Sequence, residues 1–397
     1  MRIGIAGYGG FGRFLHEAWK ALPGVQVVAA ATASPMSLHR ARAEGVRAYP
    51  DWQQLVADPE VELVVVATPP HLHAVVARSA LRARKPVLVE KPVALSLSEA
   101  RRIQRLRDRV GIPVAVDYPL RFHPLIETLL EWTRRGVWGS LRRLTVENYA
   151  QDESLHAGHW FWDRARSGGI LVEHAVHFID VTHTLCEAPP LVVRGLAFRR
   201  PTGQQDRMVL EALYANGLFV SQYHAFGRPG FFEHTAWRLV FDRLELELEG
   251  WIPLRGRVRA LVDRQTEQEL KRLPGWQLQR RVPVEEAEDS SRPEGWGEEG
   301  LAPPTDRRQV RIHGHPYRVE ALLEGAFSFP VSKTEMYAAC VRAVLEDLLW
   351  AIEDSTHQLR TPLEAGIKSL DVALRATRSA EATLSRLSSS GRPISHG

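Results

Sequence analysis

The sequence predicts an α/β fold: a doubly wound parallel sheet in the N-terminal third, then an α+β region whose strands keep one face wet. Three observations carry this. Apolar runs such as "RIGIA", "VELVVVA" and "KPVLVE" alternate with amphipathic helical stretches, as buried parallel strands and their crossovers do. Gly7, Gly9 and Gly12 stand in GxGxxG spacing between the first such run and the helix after it. Further on, "RLVFDRLELELEGW" sets Leu244, Leu246 and Leu248 against Glu245, Glu247 and Glu249, the period of a strand with one wet face.

Taken in order, "RIGIAG" is the first strand and a helix opens at about Phe11. Strand "VQVVAAAT" follows, then "RAYPDWQQLVADP" with Asp51 as a helix cap, then strand "VELVVVATPP". Helix "HLHAVVARSALRA", strand "KPVLVEKP" ending at Glu90 and Lys91, helix "SLSEARRIQRLRDR" and a closing strand "IPVAVDY" complete a first domain over residues 1–117. In residues 118–330, "PLIETLLEWTRRG" is a helix ended by Gly136, and "LRRLTVENYA", "PLVVRGLAFRR", "NGLFVSQYHAF" and the Leu/Glu run are strands. Within that span, about 282–304, with seven acids among glycines and prolines, is an irregular insertion. Residues 331–397 hold two helices, from "KTEMYAAC" and from "TPLEAG", that pack back between the domains, and a mobile tail "SSSGRPISHG".

Composition narrows the function. With 397 residues, 44% apolar and 25% charged, the chain is long enough for two cores and globular in character. No run approaches the roughly 18 apolar residues of a membrane span. Met1 and Arg2 run straight into a strand, so no secretory leader and a cytoplasmic location are expected. Cys186 and Cys340 lack a CxxC partner and read as buried thiols. A net charge of +4 without a block of like charges argues against a nucleic-acid footprint and suits an anionic cofactor. Only six lysines stand among the 51 basic side chains, and Lys91 follows a buried strand directly.

In the glycine loop, Gly7 permits a tight turn, Gly9 lets the backbone approach a pyrophosphate and Gly12 lets helix and strand pack closely. Gly10 and Phe11 then begin a helix whose N-terminus faces the anion. Strand two ends at Thr32, where a site preferring NAD would place an acid. Thr32, Ser34 and Arg40 offer donors or positive charge instead, so the expectation is NAD(P) with a lean to NADP.

"GGILVEHAVHFID" puts Glu173, His177 and Asp180 at i, i+4 and i+7, one polar face of an otherwise apolar helix. A histidine there is either a hydrogen-bonded core residue or a base. A dehydrogenase of secondary alcohols needs a base of near-neutral pKa and a cation for the developing alkoxide, and His177 and Lys91 fit those roles. Glu173, one turn before His177, would hold a substrate hydroxyl and raise the basicity of the imidazole. Trp160, Trp162 and Arg164 suit the CH faces and hydroxyls of a sugar, or else pack under the sheet. Arg121 and His174 are read as substrate contacts, with a structural role as the alternative. The paired histidines lack an HExxH or facial set, so no metal is expected.

Together "AGYGGFG", "VVVATPPHLHA", "VLVEKPVALS" and "SGGILVEHAVHFID" resemble the Gfo/Idh/MocA oxidoreductases over nearly the whole chain. The resemblance implies a Rossmann domain followed by an open, mostly antiparallel sheet that supplies the substrate wall and a homodimer or homotetramer interface. It implies that Thr68, Pro69, Pro70, His71, His73 and Glu90 join the glycines around the dinucleotide, and that Lys91 and His177 are the catalytic pair. The family's acidic position is Glu173 here in place of Asp, one methylene longer, and Arg121 matches an arginine near the family's pocket. The implied reaction is hydride transfer between a nicotinamide and a secondary alcohol or ketone of a sugar, cyclitol or similar small polyhydroxylated compound. Two other readings stay open: an NAD-dependent glycosidase of the same fold, and a non-catalytic NAD(P)-binding ligand sensor.

Overall fold

Residues 1–287 and 306–389 are described by the computed structural model. Residues 390–397 of the tail read as mobile, and positions 288–304 of the insertion, lie outside the described residues, while Ser388 and Ser389 of that tail end the last helix.

Six strands form the first sheet: β1 (Arg2–Ala6), β2 (Gln26–Ala31), β3 (Arg47–Tyr49), β4 (Leu63–Val66), β5 (Val87–Val89) and β6 (Val114–Val116). Their order is β3-β2-β1-β4-β5-β6 and every pairing is parallel. The crossovers are α1 (Gly10–Trp19), α2 (Pro35–Ala43), α3 (Trp52–Ala57), α4 (His73–Arg82) and α5 (Leu97–Val110). All four residues of β4 are buried, as a central strand covered on both faces must be. Asp51 caps α3 by accepting from the Gln54 N–H at 2.9 Å. Strand order reverses between β1 and β4, so their C-terminal ends open a crevice at the switch point, where the glycine loop and Thr68 lie. Neither α2 nor β3 was expected. Among its residues α2 buries only Ala41, which leaves no periodic apolar signal, and β3 is a three-residue edge strand.

The second sheet has nine strands: β7 (Leu141–Gln151), β8 (Pro190–Arg199), β9 (Gln205–Tyr214), β10 (Phe219–Arg228), β11 (His234–Phe241), β12 (Leu244–Glu249), β13 (Arg255–Val262), β14 (Gln277–Pro283) and, after a small hairpin of β15 (Gln309–Ile312) and β16 (His315–Arg318), β17 (Ala321–Ser328). The order is β14-β17-β13-β12-β11-β7-β10-β9-β8, antiparallel throughout except for β7 with β10. The Leu/Glu run read as one strand is two: β11 and β12 form a hairpin turning at Asp242 and Arg243. The Asp242 carboxylate accepts from the Ser140 N–H, Arg142 and Tyr317, so the turn is held by residues distant in sequence. Leu244, Leu246 and Leu248 are buried as the alternation requires. Val282 pairs with Leu322 in β14, so the irregular segment starts after Pro283, two residues later than expected.

Helices α6 (Pro124–Arg135), α7 (Arg164–Ser167), α8 (Val176–Leu185) and α9 (Arg264–Leu270) precede two long ones, α10 (Lys333–Glu353) and α11 (Leu363–Ser389). On α10, the Val341 carbonyl accepts from the Trp19 indole at 3.1 Å, and the Tyr337 ring stacks on Phe14 with centroids 5.0 Å apart. Near the start of α11, Glu364 takes hydrogen bonds from Gln104 and Arg107 of α5, while further along the helix lies against β8. Tyr337 also packs edge-on to Trp251, between β12 and β13, at 5.0 Å, so both helices bring the first sheet's surroundings against elements of the second domain.

Candidate active site

Lys91 leaves the end of β5 one residue past Glu90, and its ammonium donates to Glu173 twice, to the carbonyl oxygen and to Oε1, each at 2.8 Å. Glu173 sits in a single π-helical turn, Leu171–Ala175, that runs into α8. Such turns often mark functional positions because the extra residue re-aims the side chains around it. Glu173 and His177 line the cleft with Lys91, whereas Asp180 is buried on another side and takes a bidentate pair of hydrogen bonds from Arg121, both at 2.8 Å. The uniform helical face expected for Glu173, His177 and Asp180 is therefore split.

The cleft has two lobes that share part of their walls. The first, about 340 Å³, is lined by Phe11, Thr68, Pro70, His73, Glu90, Lys91, Glu173, His177 and Tyr337. A second, about 350 Å³, lies over the sheet and is lined by Asn148, Gln151, His159, Phe226, Glu233, Thr235 and Lys333. Trp160, Glu173, His174 and Trp251 belong to both walls and so form the waist between them.

His177 is 5% exposed, with its ring edge-on to Trp251 at 5.1 Å, and its Nδ1 has no hydrogen-bond partner. Burial drives its basicity well below the usual imidazole range, and the Lys91 charge and then His174 add to the effect. The Glu173 carboxylate, expected to act on the imidazole, makes its ion pair with Lys91 instead. Burial takes His174 down to about 3, and its ring packs edge-on to Phe226 at 5.1 Å while Nε2 stays unpartnered. His73 is 1% exposed and spans two loops, with Nδ1 2.7 Å from the Pro92 carbonyl and Nε2 2.7 Å from that of Thr68. Burial pulls His73 down to about 4, against the two carbonyl contacts, which act in the opposite direction.

The residues fit a dinucleotide. A Cβ on Gly7 would lie 2.2 Å from the Ala67 carbonyl oxygen and one on Gly12 2.2 Å from that of Gly7, so both glycines are demanded by packing. A Cβ on Gly9 or Gly10 would meet nothing within 4 Å; the space lies open before the N-terminus of α1, which no side chain caps. Thr68 Oγ1 and Glu90 Oε1 in the first lobe are buried and unpartnered. At the end of β2, Ser34 caps α2 and Arg40 is exposed on that helix, with no acid at the Thr32 position.

Other expected residues stand apart from the cleft. Arg121 is committed to Asp180 and to the Arg360 carbonyl at 2.7 Å. Arg164 pairs with Glu381 of α11. Trp162 donates to the Leu155 carbonyl at 2.9 Å beneath the Arg200 guanidinium. Pro69 and His71 flank the Thr68 turn without lining either lobe. Trp251, Tyr337 and Asn148 line the cleft although no motif marked them. Trp251 lies past the end of β12, where strand alternation no longer applies, and Tyr337 sits on an amphipathic helix, where an aromatic reads locally as packing.

Residues 1–118 match the model of the oxidoreductase family with an NAD-binding Rossmann fold, and residues 126–237 match the GFO/IDH/MocA C-terminal domain. The chain belongs to the Gfo/Idh/MocA family. Among Gfo/Idh/MocA relatives, it is 30% identical over 206 residues to an inositol 2-dehydrogenase of Acidothermus cellulolyticus, covering 50% of this chain and 58% of that one. It is 28% identical over 217 residues to a UDP-N-acetylglucosamine 3-dehydrogenase of Acidithiobacillus ferrooxidans, covering 55% and 64%. The chain spans about half the length of the curated relatives it matches. The Gfo/Idh/MocA fold extends further. A scyllo-inositol dehydrogenase structure from Lactobacillus casei superposes with a TM-score of 0.68 at 16% identity, over 96% of this chain and 97% of that one.

Proposed function

We propose that this chain is an NAD(P)-dependent oxidoreductase that moves a hydride between a nicotinamide and a secondary alcohol or ketone of a polyhydroxylated ring. The observation that carries the reading is the convergence of Lys91, from the first sheet, and His177, from α8, on one lobe beside an uncapped glycine loop. Bound dinucleotide supplies the hydride acceptor or donor. Lys91 donates a hydrogen bond to the reacting oxygen and favours its alkoxide, and His177, kept neutral by burial, takes the hydroxyl proton on its unpartnered nitrogen.

A polyhydroxylated ring is supported by the second lobe. Asn148 Nδ2, His174 Nε2 and Trp251 Nε1 are buried polar atoms without partners, and the Trp160 and Trp251 rings at the waist offer faces for CH groups. The printed names of relatives, among them inositol 2-dehydrogenase and levoglucosan dehydrogenase, agree with that class. The absence of an acid at the end of β2 favours NADP over NAD, and apolar side chains left exposed on β8 and β9, such as Leu191, Leu196 and Leu213, favour a homodimer or homotetramer through the second sheet. Purified protein is to be screened against sugars and cyclitols in both directions, following absorbance of reduced NAD and NADP. Turnover of at least one such compound is expected. Cofactor binding without turnover would replace the reading with a sensor, and glycoside cleavage without net cofactor change would replace it with a glycosidase.

A further inference from the structure

Glu90 and Asp117 end the neighbouring parallel strands β5 and β6, one position beyond the paired Val89 and Val116. Their carboxyl groups face each other in the interior, at 7% and 1% exposure. Ionised carboxylates only accept, so the pair has a hydrogen bond between its members only when it holds a proton. Glu90 Oε1 and both Asp117 oxygens have no hydrogen-bond partner, and Glu90 lines the first lobe of the cleft.

The groups that act on this pair come from several elements. Lys91 is the adjacent cation, itself bonded to Glu173; Tyr118 follows β6; Tyr337 and Cys340 approach from α10. With Glu90, Asp117 and Glu173 all ionised, three negative charges would face the one positive charge of Lys91. A shared proton removes one of them. A cation placed in the first lobe would offset the same charge, and the two remedies compete.

We propose, resting on the dinucleotide reading above, that the Glu90–Asp117 pair holds one proton before cofactor binds and beside a neutral reduced nicotinamide, and releases it to solvent when the cationic oxidised ring occupies the first lobe. Burial, with the Asp117 charge added, holds Glu90 well above the usual carboxyl range, the direction that favours a proton shared by two facing strand-end carboxyls. The sign follows from linkage. Release on binding makes affinity for the oxidised form rise with pH, by up to about tenfold per unit while the pair titrates, and leaves affinity for the reduced form flat.

The test is calorimetric titration of the protein with NAD⁺, NADH, NADP⁺ and NADPH in two buffers of different ionisation enthalpy, which counts protons released per molecule bound. Contributions from phosphates and adenosine cancel in the difference between oxidised and reduced forms. Expected is a difference approaching one proton, abolished in Asp117→Asn, whose amide gives Glu90 a donor without a titrating proton. Equal counts for the two oxidation states in the parent protein overturn the proposal and leave the dinucleotide reading intact, as does a difference that survives in a folded Asp117→Asn. If no dinucleotide binds, both readings fall together. Where Asp117→Asn does not fold, Glu90→Gln, which removes the other carboxyl of the pair, is expected to abolish the difference in the same way, and a difference that survives in it overturns the proposal.

Discussion

The Lys91 ammonium is held by one residue at two points, 2.8 Å from the carbonyl oxygen of Glu173 and 2.8 Å from its Oε1. Glu173 is thus the counter-ion and positioning residue of Lys91. With the pair only 14% and 15% exposed, screening by water is weak and the geometry of the ammonium depends on the carboxylate.

Glu173→Gln is expected to lower kcat/KM by about tenfold or more while changing dinucleotide Kd by less than about twofold, because the glycine loop lies elsewhere. Lys91→Ala and His177→Ala should each lose on the order of 10² or more and still bind dinucleotide. Steady-state kinetics beside fluorescence titration separates these effects. Turnover near the parent's in Lys91→Ala or His177→Ala would remove that residue from the chemistry.

Two glycines of one motif should behave differently. Gly12→Ala forces a Cβ against the Gly7 carbonyl oxygen at 2.2 Å and is expected to cost about 2–3 kcal/mol of stability. Gly9→Ala meets no protein atom within 4 Å, so it should unfold like the parent yet weaken dinucleotide binding by roughly tenfold where the pyrophosphate would pass. Denaturant midpoints and titrations on the two variants check this. Unimpaired binding in Gly9→Ala would move the phosphates away from the loop.

Arg121 is expected to matter through the fold. Arg121→Met leaves Asp180, 1% exposed, without its bidentate partner and should cost about 3 kcal/mol or more. Substrate KM measured on the folded fraction should stay within a few-fold of the parent. A large rise in KM at unchanged stability would return Arg121 to substrate binding.

Stability should fall on acidification from about pH 6.5 towards 4. His73, His123 and His183 are each pulled down to about 4 and His174 to about 3, all mainly by burial. In that window the unfolded chain binds protons that the folded one excludes, so each histidine takes away about 1.4 kcal/mol per pH unit at the limit. Melting temperatures recorded at intervals from pH 8 to 5 test it. A flat profile below pH 6.5 would mean the imidazoles take up protons inside the fold.

The first sheet was legible because parallel strands buried on both faces must be continuously apolar, and β4 with four buried residues is the plain case. The glycine loop, Lys91 and His177 were legible for a related reason: backbone clearance, and charge placed against an apolar run, are constraints local to a few residues. Partnerships were not. Glu173 and His177 share the cleft wall as i, i+4 spacing requires, but the cation that Glu173 meets, Lys91, lies 82 residues earlier, and helical spacing carries no sign of it. Arg121 and Asp180 are 59 residues apart in sequence and joined by a bidentate pair, while Trp251 and Tyr337 reach the cleft from a strand end and the C-terminal α10. Residues read in order are enough to locate strands buried on both faces, the backbone a phosphate could approach and the side chains that carry chemistry. Which charge faces which follows from packing, because an ion pair or an aromatic contact depends on distances across elements, and those are set by how helices and sheets pack.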